Sequence, residues 1–180
     1  MTSPYHYDNF NLFLDGELVT EIADLVITTP PHDLTISYDD NLFFGFQWLH
    51  SCLSWLKIGG NICINVPLTI DHDGRQSIGA DYTQLAKQVG FQYVKSIACT
   101  RRAAPVEVVI VLCKSVHLMN WRADKLHRLD GDRLVIARRL IKTFTVKGDT
   151  ILDPFSGCGS TQIAAEEAGR IGIAIDLMQP

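Results

Sequence analysis

Two short stretches, near opposite ends of the 180-residue chain, carry residue types that do chemistry together. The first is Thr29-Pro30-Pro31-His32, which closes the apolar run Leu25-Val26-Ile27-Thr28. Proline fixes φ and removes an N–H, so the strand must stop there and its last carbonyls are left without ladder partners. The Thr29 hydroxyl and the Pro30 carbonyl are then two acceptors that can hold the two hydrogens of an amine. An amine attached to an aromatic base is a poor nucleophile, because its lone pair is delocalised into the ring. Holding both hydrogens localises that pair, which is catalysis by positioning and electrostatics.

The second stretch is Asp153-Pro154-Phe155-Ser156-Gly157-Cys158-Gly159-Ser160-Thr161, after the short apolar run Thr150–Leu152. Its glycines allow a tight turn and close backbone approach to a ligand at a helix N-terminus. A dinucleotide is disfavoured on two counts. The third glycine of GxGxxG is replaced by Gln162, and the loop opens on a carboxylate, Asp153, which repels a pyrophosphate. A carboxylate pairs well with a cationic amino acid moiety, and S-adenosylmethionine carries both an ammonium and a sulfonium. Asp176 ends the next apolar run, where an acid can accept hydrogen bonds from two ribose hydroxyls.

Other chemistries find less support. No Pro-Cys pair occurs, which counts against methylation of a ring carbon through a thiol adduct. The five cysteines, Cys52, Cys63, Cys99, Cys113 and Cys158, form no CxxC and are expected as free thiols, mostly buried, without disulfide or metal. The acidic stretch Asp71-His72-Asp73 reads as a turn.

The elements that must position the two stretches follow from period and turn signals. Strands are expected at Asn11–Leu14, Leu25–Thr29, Asn61–Val66, Tyr93–Thr100, Val106–Cys113, Thr150–Asp153 and Ile171–Asp176. Helices are expected at Leu42–Lys57, stopped by Gly59-Gly60, and at Asp81–Val89, Leu134–Phe144 and Ser160–Ala168. Strands alternating with helices of this length predict an α/β fold with an open, mainly parallel sheet of seven strands. Only Arg101 to Pro105 separate the fourth and fifth strands, too few for a crossover, so these form one antiparallel hairpin. The glycine-rich unit comes last instead of first, a circularly permuted order. One domain spans residues 1–180: 47% hydrophobic residues supply a sizeable core, and no linker or repeat divides it.

Here a resemblance becomes specific. Thr29-Pro30-Pro31-His32 is similar to the (Asp/Ser/Asn)-Pro-Pro-(Tyr/Phe) catalytic motif of DNA amino-methyltransferases, and Asp153 to Thr161 resembles their cofactor motif, Asp-Pro-Phe-x-Gly-x-Gly-Thr-Thr. Their permuted β-class places the catalytic motif first and the cofactor motif last. The segments Leu56 to Pro67, Arg139 to Ile141 and Gly148 to Phe155 also resemble that family. The resemblance implies a Rossmann-like methyltransferase fold, S-adenosyl-L-methionine as cofactor and DNA as substrate, its target base flipped or single-stranded. It assigns catalysis to Thr29, Pro30, Pro31 and His32. The cofactor falls to Thr29, to Asp153 through Thr161 and to Asp176, with Asp15 reaching the adenine and Glu17 its rival. His32 stands where the family stacks an aromatic on the base, Asp132-Arg133 stand where Phe-Pro is common, and Asp176 stands for a usual Glu. A hydroxyl residue first in the catalytic motif leans toward N4 of cytosine over N6 of adenine.

Net charge is −4, but residues 95–142 hold eleven Lys/Arg against four Asp/Glu. That basic segment on an acidic body suits a local nucleic-acid contact. The recognition region is reduced to residues 114–133, where Trp121, Arg122, Lys125, His127 and Arg128 cluster; Arg101 and Arg102 join them as nucleic-acid candidates. So little surface implies relaxed specificity or help from a second subunit, including a homodimer. No membrane span or signal segment is expected, so the cytoplasm is the expected location. Three alternatives stay open: a catalytically silent, methyltransferase-like binding subunit, an enzyme acting on RNA or another amine, and a disfavoured nicotinamide oxidoreductase.

Overall fold

A strand with no polar face needs cover on both sides, as in the parallel sheets of α/β proteins. The computed structural model describes residues 13–14, 17–31, 37–68, 78–100, 106–115 and 126–175. It contains β1 (Phe13–Leu14), β2 (Glu17–Leu18), β3 (Ala23–Thr28), α1 (Tyr38–Trp55), β4 (Leu56–Pro67), α2 (Ile78–Val89) and β5 (Gln92–Thr100). β6 (Glu107–Cys113), β7 (Arg128–Asp130), α3 (Arg133–Phe144), β8 (Thr150–Asp153), α4 (Ser160–Glu167) and β9 (Ile171–Ala174) complete it. The main sheet has seven strands in the order β7-β5-β6-β4-β3-β8-β9. β6 is antiparallel to β4 and β5, and every other pairing in that sheet is parallel. The mainly parallel α/β sheet, its hairpin and its permuted order are thus as expected.

Three expectations need correction. Phe13 and Leu14, the described part of the strand expected at Asn11–Leu14, pair with β2 in a separate two-stranded sheet and, among the described residues, do not join the main sheet. The seventh strand is instead β7, which lies inside the segment expected to be a recognition loop and pairs with β5. Three residues with one buried side chain, Leu129, are too short to show a period. Gly59-Gly60 do not stop α1, which ends at Trp55 and passes directly into β4. Both glycines lie within β4, where Ala23 opposite Leu56 is followed by Leu25 opposite Asn61. Three extra residues therefore bulge out of β4, and Gly59, at φ +83°, makes the turn.

The helices form two outer layers. α1 begins at Ser37, whose side chain accepts from the Asp40 N–H, with Asp39 and Asp40 in its positive first turn. Its Phe44, Trp48, Cys52 and Trp55 pack with Tyr82 of α2 on one face of the sheet. α3 starts at Asp132, which caps the Val135 N–H at 2.9 Å, and packs Leu140 and Ile141 on the other face, beside Ala164 and Ala165 of α4. Arg138 and Glu167 pair across the two helices at 2.7 Å. β3 and β8 are neighbours, yet their following helices cover opposite faces. That is a topological switch point, and a crevice opens beyond the carboxyl ends of its two strands.

Candidate active site

One cleft lies at this switch point, and it is lined from both ends of the chain. Ile27, Thr28 and Thr29 come from the end of β3, Asn65 from β4, Asp153 from the end of β8, Phe155, Ser156 and Cys158 from the loop after it, and Ser160 and Thr161 from the first turn of α4. Arg133 and the apolar face of α3 close it. The two stretches singled out in the sequence, more than 120 residues apart, share one wall-to-wall space. Thr29 is half-buried beside it, Pro30 is buried and Pro31 half-buried.

The loop is held by its own first residue. Asp153 Oδ1 accepts from the Phe155 N–H at 3.1 Å, and Oδ2 accepts from the Thr161 hydroxyl at 2.6 Å. Burial pushes the Asp153 carboxyl above the usual range, opposed by those two hydrogen bonds, by the Thr28 hydroxyl and by the Arg133 charge. Thr28 Oγ1 is itself buried and meets no partner in good hydrogen-bond geometry among the described residues. Gly157 and Gly159 sit at φ +47° and +74°, with nothing within 4 Å of where a Cβ would be, so open space faces the loop backbone. The Phe155 ring lies 5.9 Å from Phe44 and 5.7 Å, edge-on, from Trp48. It anchors the loop to α1 as well as lining the cleft.

The missing third glycine has a structural counterpart. Gly172 of β9 faces Gln162, and a Cβ there would meet Gln162 Cα at 3.1 Å. Close helix-to-strand approach is therefore secured from the strand side. The Ile175 N–H donates to Asp153 O at 2.9 Å, and the Ser156 N–H donates to Ile175 O at 3.0 Å. Ile175 thus runs beside the loop. Asp176, His32, Asp15, Arg101, Arg102, Trp121, Arg122 and Lys125 lie outside the described residues.

His127 and Arg128 are described and do not line the cleft. His127 is exposed ahead of β7. Arg128 pairs with Asp130 at 2.8 Å and donates to Thr100 at 3.2 Å. Besides the apolar lining, three polar cleft residues, Thr28, Asn65 and Arg133, were not read as site residues from the sequence. Asn65 had a signal, as an amide inside the apolar run Ile62 to Val66. Arg133 had none beyond its basic type, because only the tertiary position of the α3 N-terminus brings it to the mouth.

A Rossmann-like α/β sheet with a permuted order, and a glycine loop meeting a proline-terminated strand in one cleft, define the class: a nucleotide-cofactor-dependent methyltransferase. The sequence profile of the DNA methylase family, covering N6- and N4-amino methyltransferases, matches residues 134–179. The type II methyltransferase M.MjaVI of Methanocaldococcus jannaschii is 34% identical over 148 residues, covering 67% of this chain and 73% of that protein. In fold, the chain is similar to the PvuII DNA methyltransferase (cytosine-N4-specific), with TM-score 0.73 at 14% identity, over 88% of this chain and 76% of that one. It is also similar to M1.HpyAVI in complex with S-adenosylmethionine, with TM-score 0.67 at 17% identity, over 87% and 83% of the two chains. The chain belongs to the DNA methylase family.

Proposed function

We propose that this chain transfers a methyl group from S-adenosylmethionine to the exocyclic amino group of a DNA base, with N4 of cytosine preferred over N6 of adenine. The observation that carries the reading is the convergence of Thr29 with Asp153 and Ser156 on one cleft at the switch point. S-adenosylmethionine is the cofactor, and the residues fit it. A buried carboxylate suits its ammonium, the Thr28 side chain lines the cleft, and two left-handed glycines leave the loop backbone uncovered. Asp153 and the Phe155 to Gly159 loop would hold the amino acid end, and Asp176 the ribose. When bound, the cofactor supplies a sulfonium methyl that passes to the amine nitrogen, with one amine proton lost to water and a neutral thioether released.

The rest is the protein's work. Thr29 and Pro30 hold the amine so that its lone pair faces away from the ring plane. His32 offers a stacking face, and base stacking is worth roughly 1–3 kcal/mol. The base must leave the duplex or be single-stranded, at a cost of a few kcal/mol. Residues 114–133 contribute β7 to the sheet, and Trp121, Arg122, Lys125, His127 and Arg128 with Arg101 and Arg102 are the DNA-contacting candidates; a second subunit would extend that surface. The preference for cytosine rests on a hydroxyl residue, Thr29, heading the motif. Nucleoside mass spectrometry of DNA after incubation with protein and cofactor tests it: N4-methylcytosine is expected, and N6-methyladenine alone would reverse the preference.

A further inference from the structure

Asn65 and Glu107 form a buried polar pair that the motifs above do not use. They are 5% and 8% exposed, and Asn65 Nδ2 donates to Glu107 Oε2 at 2.8 Å. A carboxylate only accepts, so Glu107 forces the Asn65 amide to turn its NH2 inward. Asn65 Oδ1 is thereby left buried, without a hydrogen-bond partner among the described residues, on a residue that lines the cleft. Buried acceptors are rarely left unpaired, and this one, on a cleft-lining residue, is suited to a donor that enters the cleft.

We propose that Asn65 Oδ1, oriented by Glu107, accepts the hydrogen of the target base's amino group that Thr29 does not hold, sharing it with the Pro30 carbonyl. This rests on the reading of the cleft as an amine-methylating site and adds a residue that chooses the base. The spacing fits. Two acceptors sharing the hydrogens of one planar amine, each about 2.9 Å from the nitrogen, stand about 5 Å apart. Adjacent strands are spaced by roughly 4.8 Å. Thr28 is the register partner of Ile64, so Thr29 and Asn65 are the next residues on β3 and β4, and both line the cleft. A base bearing a carbonyl in place of the amine would set lone pair against lone pair. Asn65 therefore admits cytosine or adenine and rejects uracil or hypoxanthine. Glu107 is a positioning residue that acts through Asn65.

The test uses the full chain with S-adenosylhomocysteine bound. Cytidine, adenosine, uridine and inosine are added at millimolar concentration, and the Asn65 side-chain amide resonances are followed by NMR. Cytidine or adenosine should shift them, and uridine and inosine should not. In parallel, Asn65→Ala should lower kcat for methyl transfer to unmethylated DNA by about 10–100-fold, with cofactor affinity within twofold of wild type. Glu107→Ala should match that loss. Glu107→Gln, whose amide carbonyl still accepts from Asn65, should recover most of it. Should Asn65→Ala unfold the chain, the double variant Asn65→Leu plus Glu107→Met removes both polar partners while keeping volume, and the same loss of kcat is expected. Equal shifts by all four nucleosides, or an Asn65→Ala or Glu107→Ala variant that keeps kcat within twofold, overturns the inference. Amine-selective shifts in a protein that methylates no DNA would uphold it and overturn the proposed reaction instead.

Discussion

The Thr161 hydroxyl donates to Asp153 Oδ2 at 2.6 Å, so the first turn of α4 is tied to the last residue of β8. The glycine loop between them is clamped at both ends by one carboxylate, whose other oxygen accepts from the Phe155 N–H. Replacing Thr161 with Val keeps the shape and removes the clamp. S-adenosylhomocysteine affinity, measured by isothermal titration, should fall about tenfold, or ~1.4 kcal/mol. An unchanged affinity would show that the loop is held by its backbone alone.

Asp153 also sets a pH dependence. Burial raises its pKa, more than its hydrogen bonds lower it. A cationic ligand favours the deprotonated form, so cofactor affinity should rise with pH through a carboxyl titration above the ordinary Asp range and then level off. The stability of the free protein moves the opposite way. A carboxyl whose pKa is raised on folding stabilises the fold below its unfolded pKa, and that increment is lost as pH rises through the folded value. Asp153→Asn should flatten both profiles, read by titration calorimetry and by urea unfolding across the acid range.

The proposed catalytic stretch should separate from the proposed cofactor stretch by mutation. Thr29→Ala with Pro30→Ala should abolish methyl transfer while leaving cofactor affinity nearly intact, since the clamp on the loop lies on β8 and α4. Equal loss of both functions would mean that the two sites have been misassigned.

Cys158 is the one exposed thiol among five free cysteines, and hydrogen bonds to Ser160 pull its pKa below the ordinary value. Burial pushes Cys52, Cys63 and Cys113 the other way. Iodoacetamide should therefore label Cys158 alone in the folded protein, faster than a free cysteine near neutral pH, because the thiolate is the nucleophile. S-adenosylhomocysteine should slow the reaction, because Cys158 lines the cleft. Peptide mass spectrometry reads both effects, and labelling untouched by the ligand would place Cys158 outside the cofactor's footprint.

The bulge in β4 yields a stability prediction far from the chemistry. A Cβ on Gly60 would meet Leu56 Cδ2 at 2.9 Å, Lys57 O at 3.0 Å and Asp24 O at 3.1 Å. Two of those atoms are backbone and cannot step aside. Gly60→Ala should cost about 1–3 kcal/mol in urea unfolding.

Part of this was legible in the order of residues. Proline after an apolar run ends a strand by local sterics, and Asp153 followed by spaced glycines makes a ligand turn by local backbone freedom, so both stretches could be read without a fold. Strand alternation with helices was likewise enough for the parallel sheet, because a run without a polar face needs cover on both sides. β7 was not legible, since a three-residue edge strand owes its existence to the β5 edge it pairs with. Gly59-Gly60 read as a helix stop and served as a strand bulge, because a glycine permits a turn without saying which element turns.

By itself, then, the sequence determined which chemical groups are present and which local turns carry them. Only the tertiary structure decided that they meet. The crevice exists because β3 and β8 are neighbours whose helices leave on opposite faces, and adjacency between strands more than 120 residues apart is a property of the packed sheet. The same packing placed Asn65, a polar interruption of a strand, in the cleft lining with its Oδ1 unpaired among the described residues, and brought Arg133 to the same lining.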